Sequence, residues 1–196
     1  IQMSLSSPGW MRTSAPSAGQ TGRVALGSAI SLFSGAGGLD LGVEAAGFET
    51  AVAVEWDEDA ADTMEKNAGT YFPGLQEVLR ADLYPMATGQ GQGVSTKDIL
   101  RAGGFGRGER PDLLVGGPPC VAFSKSGFWL DWKRDGIDPA ASLLQAYTTV
   151  LAQARPRFFI LENVYALTFN NKASRPAFGR IQQEITQAGY TYEWQV

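Results

Sequence analysis

The sequence predicts an α/β domain, a mostly parallel sheet with helices on both faces. Three observations predict it. Short apolar runs alternate with segments of helical spacing from about residue 29 to residue 196. Several of those runs end in glycine or a lone acidic residue, as strands do where an open α/β sheet meets its ligand. A chain of 196 residues with 44% apolar and 18% charged residues is globular and long enough to bury a sizeable core.

The elements follow in order. Residues 1–28 are rich in Ser, Gly, Pro and Ala without a period, and are expected to form a flexible arm outside the core. Ala29 to Phe33 is a β-prone run that ends in a glycine cluster. Leu39, Val43 and Phe48 then recur at roughly helical spacing, with Gly47 placed to end the helix. Thr50 to Glu55 is the second strand, and Asp57 is suited to cap a helix running to about Ala68. Pro73-Gly74 is a turn before a short strand, Glu77 to Ala81. Residues 85–111 are glycine-rich and are expected to be a loose surface insertion around a helix from Thr96 to Arg101. Asp112 to Gly116 is a strand that runs into Gly-Pro-Pro-Cys. A helix from Ala140 to Ala154, a strand from Arg157 to Leu161, a helix from Arg175 to Ala188 and the start of a strand at Tyr190 complete the alternation.

Composition excludes whole classes of chemistry. With no His there is neither a His general base nor a His metal ligand, so no metal site is expected. With one Cys there is no internal disulfide, which suits a reducing, cytoplasmic setting. Acid–base work falls to carboxylates, Tyr, Lys or the lone thiol. The net charge of −4 is uneven: residues 1–100 carry 5 Lys/Arg against 12 Asp/Glu, residues 101–196 carry 11 against 8. The second half is the one suited to an anionic partner. No apolar run approaches the ~20 residues that span a membrane, and no basic stretch leads into an apolar one at the N-terminus.

The candidate site residues sit where the strands end. Gly35, Gly37 and Gly38 allow a tight turn after the first strand and close approach of a ligand to the backbone. The dinucleotide fingerprint G-x-G-x-x-G is not met, because Asp40 holds its third position. Glu55 follows Gly35 by 20 residues, where a carboxylate can accept ribose hydroxyls. Trp56 can lie against an adenine, and Asp82 can accept from its exocyclic amine. Each residue alone reads equally well as a solvated strand end. Together they describe a nucleoside pocket without a basic phosphate cradle, which favours S-adenosylmethionine over a dinucleotide. Cys120 follows the Pro-stiffened loop Gly116-Gly117-Pro118-Pro119, and a thiol so placed is held as a nucleophile requires. Glu162 ends the next strand, where an unpaired buried carboxylate is costly, so it is expected to be paired, protonated or catalytic.

Taken in order, FSGAGGLDLG, VEWD, ADL, GGPPCVAFSKSG and LENV resemble the cytosine-C5 DNA methyltransferases from about Ala29 to Val196. PPC-x-x-FS followed 42 residues after the Cys by ENV is the specific part of the match. The resemblance implies a Rossmann-like S-adenosylmethionine-dependent methyltransferase fold, incomplete at its C-terminal side and lacking a target-recognition domain. It implies that Phe33 stacks on the adenine and that Gly35, Gly37 and Gly38, with Leu39, shape the turn beneath the cofactor. Glu55 takes the ribose, Trp56 flanks the adenine, Asp82 and Leu83 read its amine edge, and Pro119 and Leu143 line the pocket. It implies that Cys120 is the nucleophile, that Glu162 contacts the cytosine and that Asn163 steadies the loop around Glu162; Ser124 and Lys125, just after the nucleophile, read equally well as phosphate contacts or as a solvated loop. DNA with a flipped cytosine is the implied partner, together with a complementing C-terminal half or second subunit, in a prokaryotic or phage restriction-modification setting close to the nucleoid. Val121 departs from the family, which most often has Gln after the nucleophile. An RNA-methylating branch shares similar motifs. A non-catalytic regulator would not need both Cys120 and Glu162, and a dinucleotide-dependent oxidoreductase would not explain PPC with ENV.

Overall fold

The computed structural model describes residues 2–4, 25–89, 93–119, 139–172 and 174–196. One sheet holds seven strands: β1 (Gln2–Ser4), β2 (Gly27–Leu32), β3 (Phe48–Glu55), β4 (Glu77–Arg80), β5 (Leu113–Gly116), β6 (Phe158–Glu162) and β7 (Glu193–Gln195). Their order across the sheet is β4-β3-β2-β5-β6-β1-β7. The pairs β2–β3, β3–β4, β2–β5 and β5–β6 are parallel, so five strands form one parallel run. The chain steps outward from β2 to β4, then crosses back to lay β5 on the other side of β2. That reversal is a topological switch point, where open α/β sheets bind ligands beyond the carboxyl ends of the strands.

Among the described residues six helices cover the sheet: α1 (Gly38–Ala45), α2 (Glu58–Tyr71), α3 (Tyr84–Thr88), α4 (Thr96–Ala102), α5 (Pro139–Ala154) and α6 (Ser174–Gln187). Alternation along each strand divides the core. Ile30, Leu32, Val52, Val54, Leu114 and Phe159 pack with Ile99 of α4, Leu144, Tyr147 and Leu151 of α5, and Ile181 and Ile185 of α6. On the opposite face Ala53 and Val78 pack beneath Ala61 and Met64 of α2, while Ala29 and Val115 pack beneath Val43 of α1. This is the arrangement expected of strands buried on both sides. Among the described residues no helix is long and apolar enough to cross a membrane.

Local chemistry sets the element ends. Asp57 accepts a hydrogen bond from the Ala60 N–H at 2.9 Å and caps α2. Ser95 and Asp98 form a reciprocal capping box that starts α4. Gly47 follows α1 at φ 97° and its N–H donates to the Glu44 carbonyl, as a left-handed glycine does after a helix. Arg80 at the end of β4 pairs with Glu58, Asp62 and Glu65, which ties the edge strand to α2.

Two expectations change. Residues 1–28 do not lie wholly outside the sheet: Gln2–Ser4 form β1, antiparallel to both β6 and β7, and β2 already begins at Gly27, while residues 5–24 lie outside the described residues. The cause is backbone demand. β6 and β7 are separated by one strand position, and β1 answers their ladder N–H and C=O groups whatever its side chains. Nor are residues 85–111 a loose insertion where they are described. Ile99 and Thr96 are buried, and Met86, Val94, Leu100 and Phe105 pack against the main core, so this segment covers the sheet on the return from β4 to β5. A 3-10 turn, Tyr165–Thr168, follows β6 and buries Leu167; no sequence period announced it.

Candidate functional site

A cleft of about 460 Å³ opens at the switch point, within the usual size range of small-ligand pockets. Its walls come from the ends of β2, β3, β4 and β5 and from α5. Phe33, Gly35, Glu55, Trp56, Asp82, Leu83, Pro119 and Leu143, all singled out from the sequence, line it together. Among the described residues Val54, Ala81, Tyr84 and Gly117 also line it and were not singled out as site residues, because only their place at or just past a strand end marks them.

The turn after β2 is held in an unusual shape. Phe33 has φ 55°, left-handed for a bulky residue, and Gly35 follows at φ 54°. Strained backbone of this kind persists where the surroundings fix it. Here Glu55 does so. Its carboxylate accepts from the Gly35 N–H at 2.7 Å through Oε2, and from Trp56 and Asp57 N–H at 3.0 and 2.8 Å through Oε1. Glu55 is thus buried without being unsatisfied, and one side chain fixes the turn after β2 and the entry to α2. A carboxylate offers about four lone-pair sites, so roughly one remains for a ligand in the cleft.

At the rim, Trp56 is 68% exposed, a large flat apolar surface beside the cleft. Asp82 is exposed and its Oδ1 accepts from the Tyr84 N–H at 2.8 Å, which orients the carboxylate at the end of β4. The remaining turn residues act from behind. Gly37 has φ 86° and begins α1; a Cβ there would lie 2.7 Å from the Phe72 ring, so the position takes only glycine. Gly38 opens α1 with space around it, and Leu39 packs against the core beneath α1. These three are not among the residues lining the cleft; they shape the turn from behind.

Behind the turn lies a group the sequence did not flag. Asp40 is fully buried on α1; Thr50 Oγ1 lies 3.5 Å from its Oδ1, and Oδ2 has no hydrogen-bond partner. Burial raises its pKa above the ordinary 3.8, against the opposing hydrogen bond of Ser31. Asp40 stands at the place of the missing fingerprint glycine, and that departure was its only signal.

The second part of the site is the end of β6. Asn163 is buried; its Nδ2 donates to the Pro118 carbonyl at 2.9 Å, and its Oδ1 accepts from the Val164 N–H. Glu162 is exposed beside it, and a Cβ placed on Gly117 would come within 3.1 Å of Glu162 Oε2. The loop after β5 and the end of β6 are therefore in contact. Tyr147 of α5 reinforces the same pair of strands, with its hydroxyl shared between the Leu114 and Ile160 carbonyls at 3.2 and 3.0 Å. Cys120, Val121, Ser124 and Lys125 lie outside the described residues.

Fold and cleft together define an α/β domain with a ligand-sized cleft at the switch point of its parallel sheet. Residues 27–196 match the family of C-5 cytosine-specific DNA methylases, and the chain belongs to that family. The type II methyltransferase M.SacI of Streptomyces achromogenes is 38% identical over 179 residues, covering 85% of this chain and 42% of the relative. M.AquIA of Picosynechococcus is 37% identical over 170 residues, covering 85% of this chain and 61% of the relative. The chain thus spans only part of the length of the curated relatives it matches. A solved DNA modification methyltransferase encoded within an E. coli prophage superposes with a TM-score of 0.60 at 25% identity, over 82% of this chain and 38% of that one. The S. pombe Dnmt2 methyltransferase, at 17% identity and a TM-score of 0.50, shares the fold over 80% of this chain and 39% of that one.

Proposed function

We propose that this chain carries the cofactor-binding and base-activating groups of an enzyme that transfers a methyl group from S-adenosylmethionine to C5 of cytosine in DNA. One observation carries the proposal: a single loop serves both halves of the site. Gly117 and Pro119 line the cleft, while Gly117 lies against Glu162 and Pro118 is bonded to Asn163. A nucleoside in the cleft and a base at Glu162 would share the same three residues, immediately before Cys120.

The cleft fits the cofactor on its own chemistry. Glu55 retains an acceptor for a ribose hydroxyl, Asp82 offers a carboxylate for an exocyclic amine, and Phe33 and Trp56 offer rings to an adenine. Among the described residues no basic side chain lines the cleft, which suits a ligand without phosphates. When bound, S-adenosylmethionine supplies an electrophilic methyl group.

The residues of the chain make cytosine able to accept that group. C5 of cytosine is a weak nucleophile. The Cys120 thiolate adds to C6, forming a sulfur–carbon bond and pushing the C5–C6 electron pair toward C5. A proton held between Glu162 and N3 offsets the negative charge that develops on the ring. Once C5 carries the methyl group, its hydrogen leaves as a proton to a base. The electron pair left behind restores the C5–C6 double bond and expels the thiolate. A base inside a duplex is out of reach, so the cytosine must first be flipped out.

The test uses duplex DNA carrying 5-fluorocytosine, which blocks the final proton loss, together with S-adenosylmethionine. The expected result is an adduct of protein and DNA that survives denaturation and is absent from Cys120→Ser. An adduct that survives that substitution overturns the assignment of the nucleophile. Failure of the chain to bind S-adenosylmethionine in calorimetry overturns the assignment of the cleft.

A further inference from the structure

Beyond the cleft, the chain carries exposed aromatic rings close in sequence to cations that have no carboxylate partner among the described residues. The 3-10 turn after Glu162-Asn163-Val164 presents Tyr165 and Phe169, 56% and 46% exposed, in edge-to-face contact at 5.1 Å. Next to Phe169 is an open groove of about 350 Å³ whose other wall includes Arg175 and Phe178 of α6. Phe178 in turn meets Trp194 of β7 edge-on at 5.8 Å, and Trp194 is 43% exposed. Exposed rings in a row are not a folding requirement, since burial would have favoured them.

The charge around them is one-sided. From Asn163 to Gln183 there are three basic residues, Lys172, Arg175 and Arg180, and no acidic one, in a chain of net charge −4. Among the described residues Arg80, Arg101 and Arg157 are each matched with carboxylates, whereas no carboxylate lies within ion-pair distance of Lys172 or Arg175. Arg175 lies directly against the groove. Unmatched cations beside exposed rings are the combination that holds a nucleic-acid strand, the cations on phosphate and the rings on sugar or unstacked base.

We infer that Tyr165, Phe169, Lys172 and Arg175 form a second DNA contact, which grips the strand flanking the flipped cytosine. The inference rests on the proposed function for the position of that cytosine. Tyr165 follows Glu162 by three residues, at most about 11 Å of chain. Successive nucleotides of one strand rise about 3.4 Å. Tyr165 therefore lies within the reach of about three nucleotides from a cytosine that enters at Glu162. The contact is not base-specific; it holds the strand while the target nucleotide is out of the stack.

The experiment is a fluorescence anisotropy titration of the full chain with a labelled duplex bearing one mispaired cytosine, over a series of salt concentrations. Lys172→Ala with Arg175→Ala is expected to weaken binding about tenfold and to flatten the slope of log affinity against log salt by about 2. Tyr165→Ala with Phe169→Ala is expected to weaken binding by a similar factor with the slope unchanged. Binding of S-adenosylmethionine and the thermal midpoint are expected to hold in both, since neither pair lines the cleft or lies in the core. The inference is overturned if affinity and slope stay at wild-type values in both variants. It is equally overturned if the variants weaken binding of an RNA hairpin alone, or if they abolish only self-association of the chain. A wild-type chain that binds S-adenosylmethionine but no DNA removes this inference alone; one that binds neither removes the proposed function as well.

Discussion

The backbone N–H of Gly35 donates to Oε2 of Glu55 at 2.7 Å, and this bond joins the turn after β2 to the end of β3. The other oxygen of the same carboxylate holds Trp56 and Asp57. Glu55 is therefore a structural clamp as well as the proposed acceptor for the ribose. Glu55→Gln keeps the shape but turns one acceptor into a donor that faces a backbone N–H. Hydrogen bonds to a charged group contribute about 1.5–3 kcal/mol, so a loss of stability on that scale is expected in urea denaturation. Calorimetry should show S-adenosylmethionine affinity falling by more than the fraction of unfolded protein explains. A variant with wild-type stability and affinity would show that the clamp is idle.

The hydrogen bond from Asn163 Nδ2 to the Pro118 carbonyl, 2.9 Å long, ties β6 to the loop before Cys120. Asn163→Ala leaves that carbonyl buried without its partner, at a cost of about 1–3 kcal/mol. The expected functional result is a split. Trapping of 5-fluorocytosine DNA slows strongly, because Cys120 and Glu162 lose their common tether, while S-adenosylmethionine binding changes little. Asn163→Asp tests the direction of the bond, because a carboxylate cannot donate to the carbonyl. Equal losses of trapping and of cofactor binding in Asn163→Ala would mean that the tether serves the whole sheet edge.

Gly37 is fixed by two independent constraints, its φ of 86° and the Phe72 ring 2.7 Å from where a Cβ would lie. Gly37→Ala is expected to destabilise by at least about 2 kcal/mol, combining left-handed strain with overpacking. Phe72→Leu in the same chain should recover the overpacking part and leave the strain. If Gly37→Ala costs as much stability in the Phe72→Leu background as in the wild type, the ring contact contributes nothing.

What was legible in the sequence follows physical locality. Glu55, Asp82 and Glu162 could be read because each ends an apolar run, and strand ends meet at one edge in a parallel sheet. The cap at Asp57 could be read because capping needs only neighbours in the chain. β1 could not, because Gln2–Ser4 pair only where β6 and β7 leave a position between them. The packing of residues 93–111 was hidden by glycine content: Thr96 and Ile99 are buried by a crossover that no local period records. The link from Asn163 to Pro118 spans 45 residues and depends on β5 and β6 being neighbours. Asp40 was hidden for the opposite reason, since an acid in a first helical turn reads as a solvated helix start.

That buried acid gives the pH dependence its sign. Burial raises the Asp40 pKa above 3.8, and Glu44, beside Thr50, is raised by burial as well. Between the ordinary and the raised values, the folded chain holds protons that the unfolded chain has released. Stability contributed by these groups is therefore full below about pH 3.8 and is lost as pH rises through the raised values. Asp40→Asn removes the ionisation but keeps the size and the acceptor toward Thr50. The thermal midpoint of Asp40→Asn is expected to match or exceed that of the wild type at neutral pH and to lose that advantage toward pH 4. Glu44 remains in both chains and is shifted chiefly by its own burial, with the Asp40 charge only a minor cause, so most of its contribution drops out of the difference. The check is a pair of melting curves taken from pH 4 to pH 8 with S-adenosylmethionine absent. A difference that stays constant across that range would show that Asp40 is not titrating, and a variant less stable at neutral pH would show that its charge is used.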